Sequence, residues 1–293
     1  MEDRSKQIEE LEKRRKNLVI QKICSIIIIT ILFFVATYYF GFSQVFFMVY
    51  FMAVAICLSV GVKEYKNDFK NIFVKYALEK SFNEVIYKPE YGIAMDEIAE
   101  TNSIYLGDRY TSNDYINAKL DGLKVELSDI IIEEQHTDSD GHTYYSVIYK
   151  GRWMIFEFDR KFVSNVTVAE DKFRNLKNRS LFSKSNKVEM ESIEFNKMFD
   201  VYCNTEHEAF YILTPHMQER LKRINDSIPG KLVFIFFNNK LHIGINSGKD
   251  SFEPSIIKKI DEQKIMLEVN KEVNEIISLV KEIKQDNSLF INN

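Results

Sequence analysis

Two uncharged apolar runs decide the architecture of this chain: Ile23–Phe40 (ICSIIIITILFFVATYYF) and Val45–Val62 (VFFMVYFMAVAICLSVGV). Each has about eighteen residues, and a helix of that length spans roughly 27 Å, close to the hydrocarbon thickness of a bilayer. Only residues 41–44 separate the runs, so the two helices must be antiparallel. Tyrosine and phenylalanine cluster beside this short turn, as they do at a membrane interface. The runs therefore predict a transmembrane helical hairpin.

Basic residues flank the hairpin at its two outer ends, whereas the turn carries no charge. They are Lys13, Arg14, Arg15, Lys16 and Lys22 before the first run, and Lys63, Lys66, Lys70 and Lys75 after the second. Basic flanks stay in the cytoplasm, so we expect a multi-pass protein of the cell membrane with both termini cytoplasmic. A cleaved signal peptide is disfavoured because a second apolar run follows at once. A buried hairpin of a soluble protein is disfavoured by the length of both runs and by their basic ends.

The composition of the whole chain limits the kinds of partner and structure that we expect. The net charge of −4 over 293 residues gives no reason to expect a nucleic-acid partner. With 10 glycines and 4 prolines, long disordered linkers are not expected. The three cysteines do not build a disulfide framework, which fits a reducing compartment.

The predicted organisation has five parts. Residues 1–22 form an amphipathic cytoplasmic helix, which can lie on the membrane, extend the first span or pair with another helix. Residues 23–62 are the transmembrane hairpin, and 63–97 are a juxtamembrane helix and linker. Residues 98–250 form a cytoplasmic α+β domain, and 251–293 form a C-terminal helical region.

Alternating apolar residues between about Ile104 and Ala169 predict β-strands. Asp140-Gly141 predicts a hairpin turn, and Gly151 suggests a bend between two strands. Pro215 opens a predicted helix, and a second hairpin is expected over Asn238-Asn239. Hairpins instead of crossovers indicate an α+β fold with a mainly antiparallel sheet and packed helices.

The C-terminal region is predicted to be helical from Ser255 onward. Apolar residues recur there at spacings of four and three, and we call them the C-terminal stripe: Val269, Val273, Ile276, Val280 and Ile283. The stripe can pack on its own domain, or it can serve as a seam for a partner or a second copy of the chain.

Residues 172–187 (KFRNLKNRSLFSKSNK), the basic stretch, interleave basic and apolar side chains without an acidic residue. Such a stretch can contact the anionic inner leaflet, each basic residue contributing about 1 kcal/mol. The alternative is a solvated loop whose apolar residues pack on the domain. The candidate membrane-surface contacts are Lys172, Arg174, Lys177, Arg179, Lys184 and Lys187.

Motifs for catalysis are not found in the sequence. It has no Gly-x-Ser-x-Gly elbow, no phosphate-binding glycine loop and no Cys-x-x-Cys pair. His136 and His142 flank two aspartates in a predicted turn, where weak cation binding is the alternative to a solvated turn. His207 lies between two glutamates but lacks a second histidine at helical spacing. We therefore predict no enzyme activity, no cofactor, no catalytic residues and no metal site.

Several segments resemble one bacterial membrane family. They are Tyr149–Phe162, Phe195–Cys203, Glu206–Leu221, the LHIGI run at 241–245 and Phe252-Glu253-Pro254. In order and spacing they look like the family known as domain of unknown function 3137, over nearly the whole chain. Phe210 stands where the family tends to have arginine. The resemblance implies a two-span membrane protein with a cytoplasmic α+β domain, and a LemA-like membrane protein as a partner.

Two functional hypotheses follow. The first is a membrane-anchored binding or assembly module that contacts the bilayer surface, another membrane protein or a second copy of itself. The alternative is a metal-dependent sensor or enzyme that uses His207 and nearby carboxylates.

Overall fold

A computed structural model describes residues 2–120, 122–158, 161–162, 165–170, 173 and 186–284. The chain divides into two compact units. Unit 1 comprises Met1–Ala77 and Phe252–Val269, and unit 2 comprises Leu78–Ser251 and Asn270–Asn293.

The helices of the described residues begin with the long N-terminal pair and end near the C-terminus. In chain order they are α1 (Glu2–Phe40), α2 (Gln44–Ser59), α3 (Val62–Phe69), a π-helical turn (Lys70–Val74), α4 (Lys75–Ser81), α5 (Met95–Ala99), α6 (Ile193–Met198), α7 (Glu206–Ile212), α8 (Pro215–Ser227) and α9 (Glu262–Lys284).

Two helical stretches, Arg4–Phe40 within α1 and Gln44–Ser81, which begins with α2, are long and apolar enough to cross a membrane. In the most apolar part of α1 only 6% of the residues are buried, and in that of α2 none are. α1 runs without a break from the polar N-terminal residues into the apolar run, so the predicted amphipathic segment and the first apolar run form one helix. Ser43 caps α2 by accepting a hydrogen bond from the backbone N–H of Val45.

Helix α2 ends where Gly61 adopts a left-handed conformation, with φ of +74°. A Cβ atom at this position would lie 2.7 Å from the end of the Leu18 side chain, which could shift, so the left-handed conformation is the main reason for glycine here. Lys22 of α1 reaches the same end and donates hydrogen bonds to the carbonyl oxygens of Cys57, Leu58 and Val60 at 2.8–2.9 Å. An ammonium group there satisfies carbonyls that have no partner within the helix.

The polar half of α1 packs against α3 and the π-helical turn through an apolar strip. Leu11 of α1 is buried, as are Tyr65, Phe69 and Phe73 on the other side. Arg14 adds ion pairs to Glu64 and Asp68. These contacts make this part of unit 1 a small helical bundle.

Residues 252–261, the connecting segment, are fixed to this bundle. Arg15 donates hydrogen bonds to the carbonyl oxygens of Ile256 and Ile257, at 3.0 and 3.2 Å. Glu12 accepts one from the backbone N–H of Ile260 at 3.1 Å. The hydrogen bonds from Arg15 are the main reason why the pKa of Glu12 is lowered to about 2. Ion pairs to Lys66 and Lys70 hold Glu253.

Unit 2 contains a nine-stranded sheet among the described residues, and each of its strand pairs is antiparallel. The spatial order is β1-β2-β3-β4-β9-β8-β5-β7-β6. The strands are β1 (Glu84–Lys88), β2 (Arg109–Leu120), β3 (Leu123–Thr137), β4 (Thr143–Glu157), β5 (Val166–Ala169), β6 (Asn186–Val188), β7 (Asp200–Cys203), β8 (Lys231–Phe237) and β9 (Lys240–Asn246). The predicted α+β class and antiparallel sheet are confirmed.

Both faces of the central strands are covered, because side chains alternate between them. One face carries Trp153 and Ile155, which pack with Ile93, Ile98 and Ile104 in one core cluster. On the opposite face lie helices α6, α8 and α9. There Phe199, just after α6, contacts Phe234 of β8, and Glu272 of α9 pairs with Arg152 of β4 at 3.5 Å.

Several sequence predictions need correction. β1 was missed, and the strand region begins at Arg109 instead of Ile104. Gly151 is not a bend but lies inside β4, where a Cβ would clash with the carbonyl oxygen of Ile245 on the neighbouring strand. The C-terminal helix begins at Glu262, not Ser255, because the connecting segment is bonded to α1 instead.

Candidate partner-binding surface

Strands β3 and β4 extend beyond their neighbours in the sheet. The pairing of β2 with β3 ends at Glu133, and β9 pairs with β4 only from Gly151 onward. Within the described part of the chain, residues 134–137 therefore pair only with residues 143–146, and Val147 pairs only with Glu133. We call this two-stranded extension the β3–β4 ribbon. It lies outside the sheet core.

The base of the ribbon is fixed in the core by Tyr149. Its hydroxyl donates to the carbonyl oxygen of Arg152 at 2.7 Å and accepts from the backbone N–H of Ile245 at 3.0 Å. Burial raises the pKa of Tyr149 well above its usual value, so the phenol stays neutral. A register shift between Ile132 and Glu133 marks the point where the ribbon begins.

The tip of the ribbon is an ordered turn over residues 138–142. The carboxylate of Asp138 accepts hydrogen bonds from the backbone N–H groups of Asp140 and His142, at 3.0 and 2.8 Å. Gly141 supplies the left-handed conformation, with φ of +85°. This confirms the predicted Asp140-Gly141 turn. Asp138, Asp140 and His142 are all exposed, and one possible metal-ligand atom of each lies within 4.8 Å of the others. The hydrogen bonds of these residues that the structure shows order the turn.

Cross-strand contacts also hold the side chains of the ribbon. The Tyr145 hydroxyl donates to the Gln135 side chain at 2.9 Å, and Arg109 lies over the Tyr145 ring at 3.8 Å. On the other side, the His136 ring stacks on Tyr144. Nevertheless Tyr144, Tyr145 and Val147 are 55%, 40% and 55% exposed. The ribbon thus presents ordered aromatic and apolar side chains to solvent.

The outer edge of the ribbon lacks the protection that the sheet edges have. The terminal strands β1 and β6 are five and three residues long and carry charged residues such as Glu84, Lys88 and Lys187. Short, charged edges discourage pairing with other strands. By contrast, Thr143–Tyr149 (TYYSVIY) has no charge. This makes the ribbon the edge of unit 2 best suited to accept another strand.

Most of the basic stretch lies outside the described residues, including Lys172, Arg174, Lys177, Arg179 and Lys184. Its contact with the membrane surface stays a prediction. Lys187 is described, in β6, and its ammonium group lies 2.7 Å from the carboxylate of the buried Asp200. The charge of Lys187 is therefore already paired within the domain.

The C-terminal stripe lies on α9 but is not accessible. The exposed fractions of its residues range from 0 to 4%: Val269, Val273, Ile276, Val280 and Ile283. Such burial is what we expect of the first alternative, a helix packed on its own chain. It disagrees with an exposed seam for a partner, so the stripe supports no binding proposal.

The residues of the metal-dependent alternative are not gathered into a site. Glu206 and His207 are exposed in the first turn of α7, which is helical. Within the described residues, His207 belongs to no group of three or more possible metal ligands.

The ribbon was not predicted as a surface from the sequence. The signal was present in the uncharged run Thr143–Tyr149, which we interpreted only as a strand. Its exposure depends on where β2 and β9 stop, and the sequence of the run does not contain that information.

Comparison with known proteins gives one family and one structural neighbour. Residues 147–285 match the family DUF3137, described as a protein of unknown function, and this match confirms the family resemblance over that part of the chain. No curated protein matches the sequence. The crystal structure of the mycobacterial trehalose monomycolate transport factor A, TtfA, aligns with 69% of this chain and 91% of its own, at 10% identity and a TM-score of 0.39.

Proposed function

We propose that this protein is a membrane-anchored assembly module. In this proposal α1 and α2 anchor the chain in the cell membrane, with both termini in the cytoplasm, and unit 2 binds a partner protein through the β3–β4 ribbon. The observation that carries the proposal is the ordered, uncharged ribbon edge with its exposed tyrosines.

The anchoring part is supported by the exposed side chains of the two long helices. Phe34, Tyr38 and Phe47 are 65%, 83% and 46% exposed. A soluble protein rarely leaves so large an apolar surface in water, whereas a bilayer covers it. The orientation follows from the basic flanks, because basic residues near membrane spans stay on the cytoplasmic side.

The binding part is supported by the physical character of the ribbon. A free strand edge offers unpaired backbone donors and acceptors, and an added strand can bond to them while side chains set specificity. Tyrosines contribute a large contact area at a low cost in conformational entropy. Because cross-strand contacts already order Tyr144 and Tyr145, little further ordering is needed on binding.

A photo-crosslinking amino acid at position 145 tests this function in intact membranes. We expect adducts of defined mass when the probe replaces Tyr145. The matched control replaces Ile193, which is 72% exposed on α6 of the same unit. Adducts at position 145 that are absent at position 193 would support a ribbon-binding partner. Equal adducts at both positions, or none at position 145, would reject it.

A further inference from the structure

We propose that the ribbon edge of β4 pairs with the same edge of a second copy of this chain, in an antiparallel arrangement about a two-fold axis. This inference rests on the proposed function and names its partner. It would join the sheets of two copies through residues 143–147.

Only one side of the ribbon is open to such pairing. On the β3 side, the carboxylate of Asp108 accepts a hydrogen bond from the backbone N–H of Gln135 at 2.8 Å and occupies the edge. On the β4 side, the pairing with β9 stops at Gly151. Asn246 and Gly248 form further hydrogen bonds with Ile148 and Lys150, but these bonds do not extend to residues 143–147. Among the described residues, no strand covers the outer edge of residues 143–147.

The sequence of this edge is compatible with itself. In an antiparallel pair centred on Tyr145, that residue lies opposite its own copy, Tyr144 lies opposite Ser146, and Thr143 lies opposite Val147. None of these residues is charged, so no like charges oppose each other. Aromatic and β-branched residues at such positions stabilise strand pairs by about 0.2–1 kcal/mol each.

The charges beyond the uncharged run are complementary in the same register. Residues 138–142 form the turn and do not continue the pairing, but the turn, with Asp138 and Asp140, then lies level with Lys150 of the second copy. The arrangement repeats on the other side of the two-fold axis, as an isologous interface requires. A charged strand from another protein would find no such match along the uncharged part of the edge.

The expected dimer is weak in solution and depends on the membrane. A pairing of five residues buries less than the roughly 1,200 Å² of a stable interface. Anchoring two copies in one bilayer raises their effective concentration and compensates for the small area. The test must therefore use the full chain in its membrane.

Disulfide crosslinking between copies tests the register directly. The background carries Cys24→Ala and Cys57→Ala and retains Cys203, which is buried. Single variants Tyr144→Cys, Tyr145→Cys and Ser146→Cys are oxidised in membranes, with Ile193→Cys as the exposed control. We expect a crosslinked dimer from Tyr145→Cys at least fivefold more abundant than from the other three, because only the residue on the axis faces itself.

A mixed experiment completes the test. Membranes that contain both Tyr144→Cys and Ser146→Cys chains should crosslink at least fivefold better than either variant alone, since these positions oppose each other. Unchanged unfolding transitions, followed by the fluorescence of Trp153, check the fold of each variant. Crosslinking no higher at position 145 than at 193, or no gain in the mixed membranes, would overturn the self-pairing. If photo-adducts at position 145 then contain a different protein, the proposed function stands without this inference.

Discussion

The ammonium group of Lys22 lies 2.8 Å from the carbonyl oxygen of Leu58, in the last turn of the second long helix. Lys22 is also within 2.9 Å of two further carbonyl oxygens there, and it is only 7% exposed. A basic flanking residue, expected from the sequence only to set the orientation, thus also joins α1 to the end of α2.

Replacing Lys22 should weaken the contact between α1 and the end of α2. We expect Lys22→Met to lower stability by about 1–2 kcal/mol, because several carbonyls lose a charged donor at the negative end of a helix dipole. In mild detergent this corresponds to a fall of a few degrees in the midpoint of thermal unfolding. Lys16→Met is the control, since the Lys16 side chain is 60% exposed and its ion pair is long, at 3.9 Å. A similar change in both variants would contradict this role of Lys22.

Glu253 should hold the connecting segment to the helical bundle. Burial raises its pKa, but the hydrogen bonds from Lys66 and Lys70 outweigh burial, so its pKa is lowered. Lys70 is only 3% exposed. Glu253→Gln removes a carboxylate from that buried cation, at a cost of about 2 kcal/mol after allowance for partial solvent access. We expect amides of residues 252–261 to exchange hydrogen roughly 30-fold faster.

The sign of the pH effect provides a second check on Glu253. Because the pKa of Glu253 in the folded protein is lower than its unfolded-state value of 4.5, the ionised carboxylate stabilises the folded protein above that value. This contribution is lost as the pH falls through the folded-state pKa. Protection of the connecting segment should therefore fall with acid in the wild type and change less in Glu253→Gln. Glu262→Gln, whose side chain is 50% exposed, is the control. Unchanged exchange in Glu253→Gln would show that the carboxylate does not hold the segment.

His242 should make unit 2 sensitive to mild acid. Burial lowers its pKa from 6.5 to about 3, and the nearby Lys240 lowers it further. Between these values the unfolded chain binds a proton that the folded chain does not. Stability should therefore fall with decreasing pH, by up to about 1.4 kcal/mol per pH unit.

His242→Gln tests this origin of the pH dependence. Trp153 donates a hydrogen bond to the Nδ1 atom of His242 at 3.3 Å, and glutamine places a neutral polar side chain that does not titrate at this position. Between pH 7 and 5.5, the wild type should lose about 1 kcal/mol more stability than this variant. Urea unfolding followed by the fluorescence of Trp153, the only tryptophan, measures it. The exposed control His207→Gln should keep the wild-type slope, and parallel curves for wild type and His242→Gln would refute the assignment.

The buried stripe of α9 should contribute to stability. Ile276 is 2% exposed, and Ile276→Ala should cost about 3 kcal/mol through lost burial and a cavity. Leu267→Ala is the matched control on the same helix, because Leu267 is 73% exposed and its replacement should change stability by less than about 0.5 kcal/mol. Urea unfolding compares the two. Equally small effects of both substitutions would instead support the hypothesis that the stripe is a surface for a partner.

Local patterns were sufficient for several elements. The two long apolar helices needed only the absence of charge over about eighteen residues. The β8–β9 hairpin needed only two apolar strands around Asn238, whose φ of +53° suits asparagine at a tight turn. The helix α8 followed from Pro215 and from Thr214, which accepts a hydrogen bond from Met217. In these cases the physical cause lies within a few residues.

Other features depend on residues far apart in the chain. The helical pattern predicted from Ser255 fails because Arg15 and Glu12 bond to the backbone of residues 256–260. The candidate surface also escaped prediction, because the ends of β2 and β9, not the composition of β4, determine which part of β3 and β4 extends beyond the other strands. Burial of the stripe on α9 is likewise a property of the packed domain.

Membrane placement is the claim on which both proposals depend. The sharpest test is labelling of intact cells with a membrane-impermeant maleimide, in chains that carry Cys24→Ala and Cys57→Ala. We predict that Phe42→Cys, in the turn between α1 and α2, is labelled in intact cells. Tyr144→Cys on the ribbon should be labelled only after permeabilisation. Labelling of Tyr144→Cys in intact cells, with Phe42→Cys protected, would contradict the account.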